Sequence, residues 1–170
     1  EYIQTFQEYR DRLFGSNRII VVLKMREGQI WNRDFFSQYK DLTDALFYLP
    51  GVARHTLTSL WTPNSRYFEI TEDGFVADDV IPGTITLDNI DSQCVSRLKT
   101  ASLATNCEPA LQIIENNVVR GGFVGRLVAN DFSAAMVRAE LLDYDVKTVE
   151  PLDYFDLADK LETDIRDKYE

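Results

Sequence analysis

Residues Arg120–Leu141, RGGFVGRLVANDFSAAMVRAEL, decide the fold. Phe123 to Ala129 reads as a strand, Asn130 and Asp131 supply a tight turn, and Ser133 to Leu141 runs back as a second strand, which predicts a buried hairpin. Gly121, Gly122 and Gly125 precede or enter the first arm, where glycine permits a positive φ or a close backbone approach. Gly121, Gly122, Gly125, Asn130 and Asp131 are therefore expected as structural turn residues. A reaction centre is not expected here. The stretch holds Asp131 and Ser133 but no His, Cys or Lys, and its GGxxG spacing is not the dinucleotide fingerprint.

Upstream of the hairpin, Leu111, Ile114 and Val118 fall at helical spacing, with Pro109 suited to a first turn. Before them Ile90, Cys94, Leu98 and Ala101 predict another amphipathic helix over Leu87 to Ala101, opened by Asp88 or Asn89. Together these make a helical insertion over about 86–119. Further back, Phe75 to Ile81 reads as an irregular edge or loop, and RYFEIT (Arg66 to Thr71) as a strand ended by Glu72-Asp73-Gly74. Thr56 to Thr62 is expected as a strand. Asn32 offers an N-cap for Phe35, Tyr39, Leu42, Leu46 and Leu49, one apolar stripe stopped by Pro50-Gly51. Arg18 to Met25 is a β-branched run that fits a strand buried on both faces. Strand, helix and strand then form a β-α-β unit with a right-handed crossover.

Glu1 to Phe14 predicts a short lead-in helix ended by Gly15 and Ser16. Downstream of the hairpin, Leu152, Phe155, Ala158, Leu161, Ile165 and Tyr169 predict a last amphipathic helix, acidic at its start and basic at its end as the dipole prefers. The expected fold is one α/β domain, an α+β two-layer sandwich with an open sheet, helices on one face and the helical insertion.

Composition sets the bounds. A length of 170 residues suits one core, and 45% hydrophobic residues argue against disorder. Lys and Arg number 18 against 28 Asp and Glu, a net charge of −10 that disfavours nucleic acid and anionic lipid as partners. The longest apolar runs are far short of the roughly 20 residues that span a bilayer, so the chain by itself is expected to be soluble. It opens at Glu1 without an initiator Met or signal peptide, and no strand follows the last helix. A processed product or a piece of a longer polypeptide is expected.

Few residues offer chemistry. His55 is the single histidine, and no glycine-flanked Ser or Cys accompanies it, so neither a zinc site nor a catalytic triad is expected. The acidic cluster Glu72, Asp73, Asp78 and Asp79 lacks calcium-loop spacing and reads as a solvated loop. Cys94 and Cys107 lack the second pair or histidines of a zinc site. By themselves they fit either two reduced apolar fillers or a bridge formed in an oxidising compartment.

VGRLVANDFSAAMVRAELL (Val124 to Leu142), with LPGV at Leu49 to Val52 and SLWTPNSRYFEITEDGF at Ser59 to Phe75, resembles the extracytoplasmic loop of bacterial exporters of the resistance-nodulation-division (RND) superfamily. The similar branch is that of the large mycobacterial membrane proteins and hopanoid exporters, whose membrane domain is often labelled sterol-sensing. The resemblance covers Asn17 to Tyr169, with Asp88 to Asn106 standing as an insertion.

The resemblance implies a ferredoxin-like β-α-β-β-α porter subdomain lacking its last strand. Residues 1–16 would be the lead-in helix from a transmembrane segment, and 17–170 a single periplasmic domain, the first of two such loops. It implies a part in proton-driven export of hydrophobic or lipid-like substrates across the bacterial inner membrane, with no catalysis and no cofactor on this chain. Its partners would be the second periplasmic loop and the transmembrane helices of the same polypeptide, a lipid or hydrophobic small-molecule cargo, and other copies in a homo-oligomer. The periplasmic side is oxidising, which favours a Cys94–Cys107 disulfide. The alternative is a soluble extracytoplasmic ligand-binding or sensor domain, because fold does not fix function.

Overall fold

The computed structural model describes residues 17–71, 74–95, 107–145 and 148–169, so the expected lead-in helix lies outside the described residues. In chain order the elements are β1 (Arg18–Lys24), α1 (Arg33–Tyr48), β2 (Val52–Thr58), β3 (Arg66–Thr71), β4 (Gly74–Asp79), α2 (Ala110–Arg120), β5 (Ala134–Leu141) and α3 (Tyr154–Lys160). A wider π-type turn, Leu161–Arg166, and a last turn, Asp167–Tyr169, continue α3.

β5 is the centre of a three-stranded antiparallel sheet of order β1-β5-β2, and β3 pairs with β4 in a separate hairpin. Arg18 lies opposite Glu140 and Lys24 opposite Ala134. On the other side Val52 faces Leu141, and an irregularity intervenes before Thr58 meets Arg138. Both outer strands run against β5 and so parallel to each other. The β1-α1-β2 unit is therefore split, with β5 inserted between its strands.

α1 begins where Asn32 Oδ1 accepts the Phe35 amide at 2.8 Å. Its stripe of Phe35, Tyr39, Leu42 and Leu46 is buried together with Phe36 and Thr43. Each large side chain buried there contributes roughly 1.5–3 kcal/mol. The layer they cover is the inner sheet face, where Leu23, Ala135, Val137 and Ala139 are also buried. β1 departs from the expected burial on both faces: Ile20 and Val22 are exposed, because β1 is an edge strand and no described element covers the outer face.

Four other expectations are corrected. First, β2 starts at Val52, ahead of the expected Thr56, directly after the Pro50-Gly51 turn. The residues from Ser59 onward cannot extend it, because their hydroxyls hold the local backbone in turns. Thr62 Oγ1 donates to Ser59 O at 2.8 Å and accepts from Ser59 N at 2.9 Å, and Ser65 Oγ donates to the same carbonyl. Second, Gly74–Asp79 is a regular strand, β4, in full register with β3. Third, the segment from Leu87 to Val95 forms successive turns and no helix. Asn89 explains this: its Oδ1 accepts from Thr86 N at 2.7 Å and its Nδ2 donates to Thr84 O at 2.9 Å, diverting the backbone from helical bonding. Residues 96–101 of that expected helix lie outside the described residues.

Fourth, the first arm of the hairpin is not a strand. The Phe123 carbonyl accepts from the amides of Arg126, Leu127 and Val128 at 3.0, 2.9 and 3.0 Å, curling the arm into a loop. Contact with β5 is reduced to the Val128–Ala135 bridge, with bonds from Met136 N to Leu127 O at 2.8 Å and from Ala129 N to Ala134 O at 2.9 Å. Gly125 makes the curl feasible with φ +76°, where an added Cβ would lie 3.1 Å from Asn130 Oδ1. Gly125→Ala is expected to cost about 1–2 kcal/mol, measured by urea denaturation. Gly121 ends α2, and a Cβ there would meet the Phe123 ring at 2.5 Å; Gly122 has φ +67°. The turn into β5 places its positive φ, 57°, on Phe132 instead of on Asn130 or Asp131. The Phe132 ring lies 5.5 Å from that of Trp31, which anchors the strained residue.

α3 also differs from the expected stripe. Leu157 and Ile165 are buried, while Phe155 is 90% exposed. Asp153 caps the helix through the amides of Phe155 and Asp156. The wide turn then holds more residues than an α turn, so Leu157, Leu161, Ile165 and Tyr169, each four apart, stay on one side where a regular α-helix would drift.

Candidate functional site

A recess of about 610 Å³ lies between β1 and the last helical segment, lined by Leu42 of α1 and, on its far wall, by Leu161, Ile165 and Tyr169. Ile19 and Val21 are half-buried against it. Its charged rim is Lys24 on the strand, with Glu162 and Arg166 on the helix. Arg166 Nη1 donates to Glu162 Oε2 at 2.9 Å. The lining is apolar and holds no nucleophile paired with a base. It can shelter hydrocarbon or main chain.

Residues singled out for chemistry do not converge. His55 is an exposed residue within β2, ahead of the expected strand start. Of the acidic cluster, Asp78 and Asp79 sit at the end of β4, where Asp79 Oδ1 lies 3.4 Å from Arg66 Nε; Glu72 and Asp73 lie outside the described residues. No group of three His, Cys, Asp or Glu is arranged to hold a metal among the described residues, and no helix of the described residues is long and apolar enough to cross a membrane.

Cys94 and Cys107 are bonded to each other, with Cα atoms 4.7 Å apart. The neighbouring Val95 and Glu108 exchange backbone bonds of 2.9 and 3.3 Å. Bridge and bonds join the described residues on either side of 96–106, just ahead of α2.

Asp131 is a turn residue with a measurable signature. Its Oδ1 accepts from Ser133 Oγ at 2.8 Å and from Ser133 N at 3.0 Å. These bonds, the hydroxyl first, hold the carboxyl below its ordinary value of 3.8. A depressed pKa contributes stability above the unfolded value that is lost as pH falls through the folded one. In a carboxyl-carbon NMR titration Asp131 is expected to titrate below pH 3.8, and Ser133→Ala to move its midpoint upward; an unmoved midpoint contradicts the assignment.

The recess was not singled out from sequence, although Leu161, Ile165 and Tyr169 were named for their helical stripe. The signal that would have found it is β1 itself, a β-branched run whose outer edge meets no strand among the described residues. No protein-family model, no curated protein and no solved structure matches this chain.

Proposed function

We propose that this chain is the porter-like periplasmic loop of a proton-driven inner-membrane exporter of the RND type, in the branch of large mycobacterial membrane proteins and hopanoid exporters. In this reading it forms part of the passage for hydrophobic or lipid-like cargo, beside a second periplasmic loop and the transmembrane helices of the same polypeptide. Its contribution is mechanical: a rigid wall that moves as a body while proton movement occurs in the membrane.

One observation supports it most. The three strings that carry the resemblance, far apart in sequence, are joined in space. Val52 of LPGV pairs with Leu141, and the Gly51 carbonyl accepts from Leu142 N at 2.8 Å. Leu60 N of SLWTPN and Met136 O of the long string share the Tyr39 hydroxyl, at 3.2 and 2.8 Å. Strings far apart in sequence that meet in space are what a common architecture leaves. On this reading β1, α1, β2, β5 and α3 are the ferredoxin-like β-α-β-β-α plan, with β3, β4 and α2 inserted.

The test is twofold. Coding sequence flanking this segment should encode hydrophobic stretches of about 20 residues. Deleting the segment from that full-length protein should abolish export and leave membrane insertion intact; undiminished export, or flanks encoding a signalling domain, overturns the proposal.

A further inference from the structure

β3 and β4 make a ribbon whose two faces differ. Across the ladder Phe68 lies opposite Ala77 and Ile70 opposite Phe75, and side chains two apart on a strand share a face. Phe68, Ile70, Phe75 and Ala77 therefore occupy one face. The rings of Phe68 and Phe75 stack on it with centroids 5.5 Å apart. Phe68, Ile70 and Phe75 are nonetheless 61, 87 and 67% exposed, while Tyr67, on the other face, is buried. A contiguous apolar patch of this kind marks an interaction site.

The inner face shows how such a ribbon is covered. α2 packs against β3, and the exposure of the outer face leaves the inner one as its seat. The fully buried Asn117 of α2 donates from Nδ2 to Val80 O at 3.0 Å, and Val80 N donates in turn to Ser65 O at 3.1 Å. Helix and ribbon are thus fastened where the two strands emerge, and the apolar outer face is held out in a fixed position.

We propose that this outer face docks an amphipathic α-helix of a separate, basic protein, its apolar stripe on Phe68, Ile70 and Phe75 and its Lys and Arg flanks beside the ribbon's acidic residues. The docked helix would mirror α2 across the ribbon. Successive helical turns, about 5.4 Å apart, approach the roughly 6.7 Å between Phe68 and Ile70. Charge selects this occupant. RYFEITEDGFVADD, from Arg66 to Asp79, holds one basic and five acidic residues, and Arg66 is already paired with Asp79 at 3.4 Å. A second copy would set this acidic surround against itself and bring together two chains of net charge −10; an anionic lipid surface meets the same repulsion. Area sets the strength. Three side chains of this size cover roughly 400 Å², about half of what each partner of a stable complex buries. So small a patch fits reversible docking of a separate molecule, with opposite charge raising the rate of encounter. The ribbon is one of the elements inserted into the plan of the exporter reading, and the inference does not rest on that reading.

The test uses the 170-residue chain, isotope-labelled, and a helical peptide of about 15 residues with a leucine stripe and lysine flanks. Side-chain NMR signals of Phe68, Ile70 and Phe75 should shift. Those of Ile20 and Val22, also exposed but set between Arg18 and Lys24, should not. Ile70→Thr keeps a β-branched residue on the strand and leaves the ring pair alone. It should weaken binding roughly tenfold, with the Asn117 side-chain amide signal unmoved as the sign that the ribbon stays fastened. Glutamates in place of the peptide's lysines should abolish binding, and serines in place of its leucines should weaken it at least about tenfold. Unshifted ribbon signals, equal binding by the Ile70→Thr protein, or equal binding of the serine peptide would each overturn the proposal. So would the same three shifts caused by a second copy without peptide, or by phosphatidylcholine vesicles.

Discussion

Tyr39→Phe is expected to destabilise the chain by roughly 2–4 kcal/mol, although it removes a single oxygen atom. Tyr39 is fully buried on α1. Its hydroxyl donates to Met136 O of β5 at 2.8 Å and accepts from Leu60 N at 3.2 Å. Phenylalanine keeps the ring stacked on Phe35, whose centroid is 5.7 Å away, but takes the partner from the buried Leu60 amide and from the part-buried Met136 carbonyl. For a chain of this size the midpoint of thermal unfolding should fall by about 5–15 °C. Burial pushes the phenol well above its ordinary value of 10.0. The wild-type advantage is therefore full below that value and erodes as pH rises beyond it. Tyr48→Phe, at an exposed position on the same helix, is the control and should change nothing. A Tyr39→Phe protein within about 0.5 kcal/mol of wild type would show that the hydroxyl is not the tie between helix, turn and central strand.

The second large effect concerns Cys94 and Cys107. Replacing both with serine should cost about 3 kcal/mol, chiefly by freeing the loop in the unfolded chain. The neighbouring Val95–Glu108 bonds already join the same two segments in the folded state, so native contacts elsewhere should persist and the wild-type spectrum should be retained at low denaturant. Alkylation without reductant should label neither cysteine in protein matured outside the cytoplasm. Full labelling would remove the bridge.

α1, α2 and the central strand were legible because their signals are local. Asn32 ahead of a five-membered apolar stripe, and Ala134 to Leu141 with alternate burial, need no information from elsewhere in the chain. The failures have a common cause in side chains that bond their own backbone. Asn89 unmade an expected helix, and Ser59, Thr62 and Ser65 shifted β2 forward by capturing residues that looked strand-like. The curl at Phe123 was hidden for another reason: strand propensity in FVGRLVA is real, but Gly125 offers the backbone a left-handed step that lets one carbonyl gather three amides. The recess was illegible because it belongs to no segment. It exists only where the edge of β1 meets a helix from the other end of the chain.

The order in which the sheet is supplied matters for how the molecule is made. Arg18 and Glu140 are cross-strand partners 122 positions apart, and neither β1 nor β2 has a ladder to join until β5 leaves the ribosome. Closing so long a loop comes before any reward from pairing, which slows folding. Through most of its synthesis the β1-β5-β2 sheet therefore stands without its central strand, and only α1, α2 and the β3-β4 hairpin can form ahead of it.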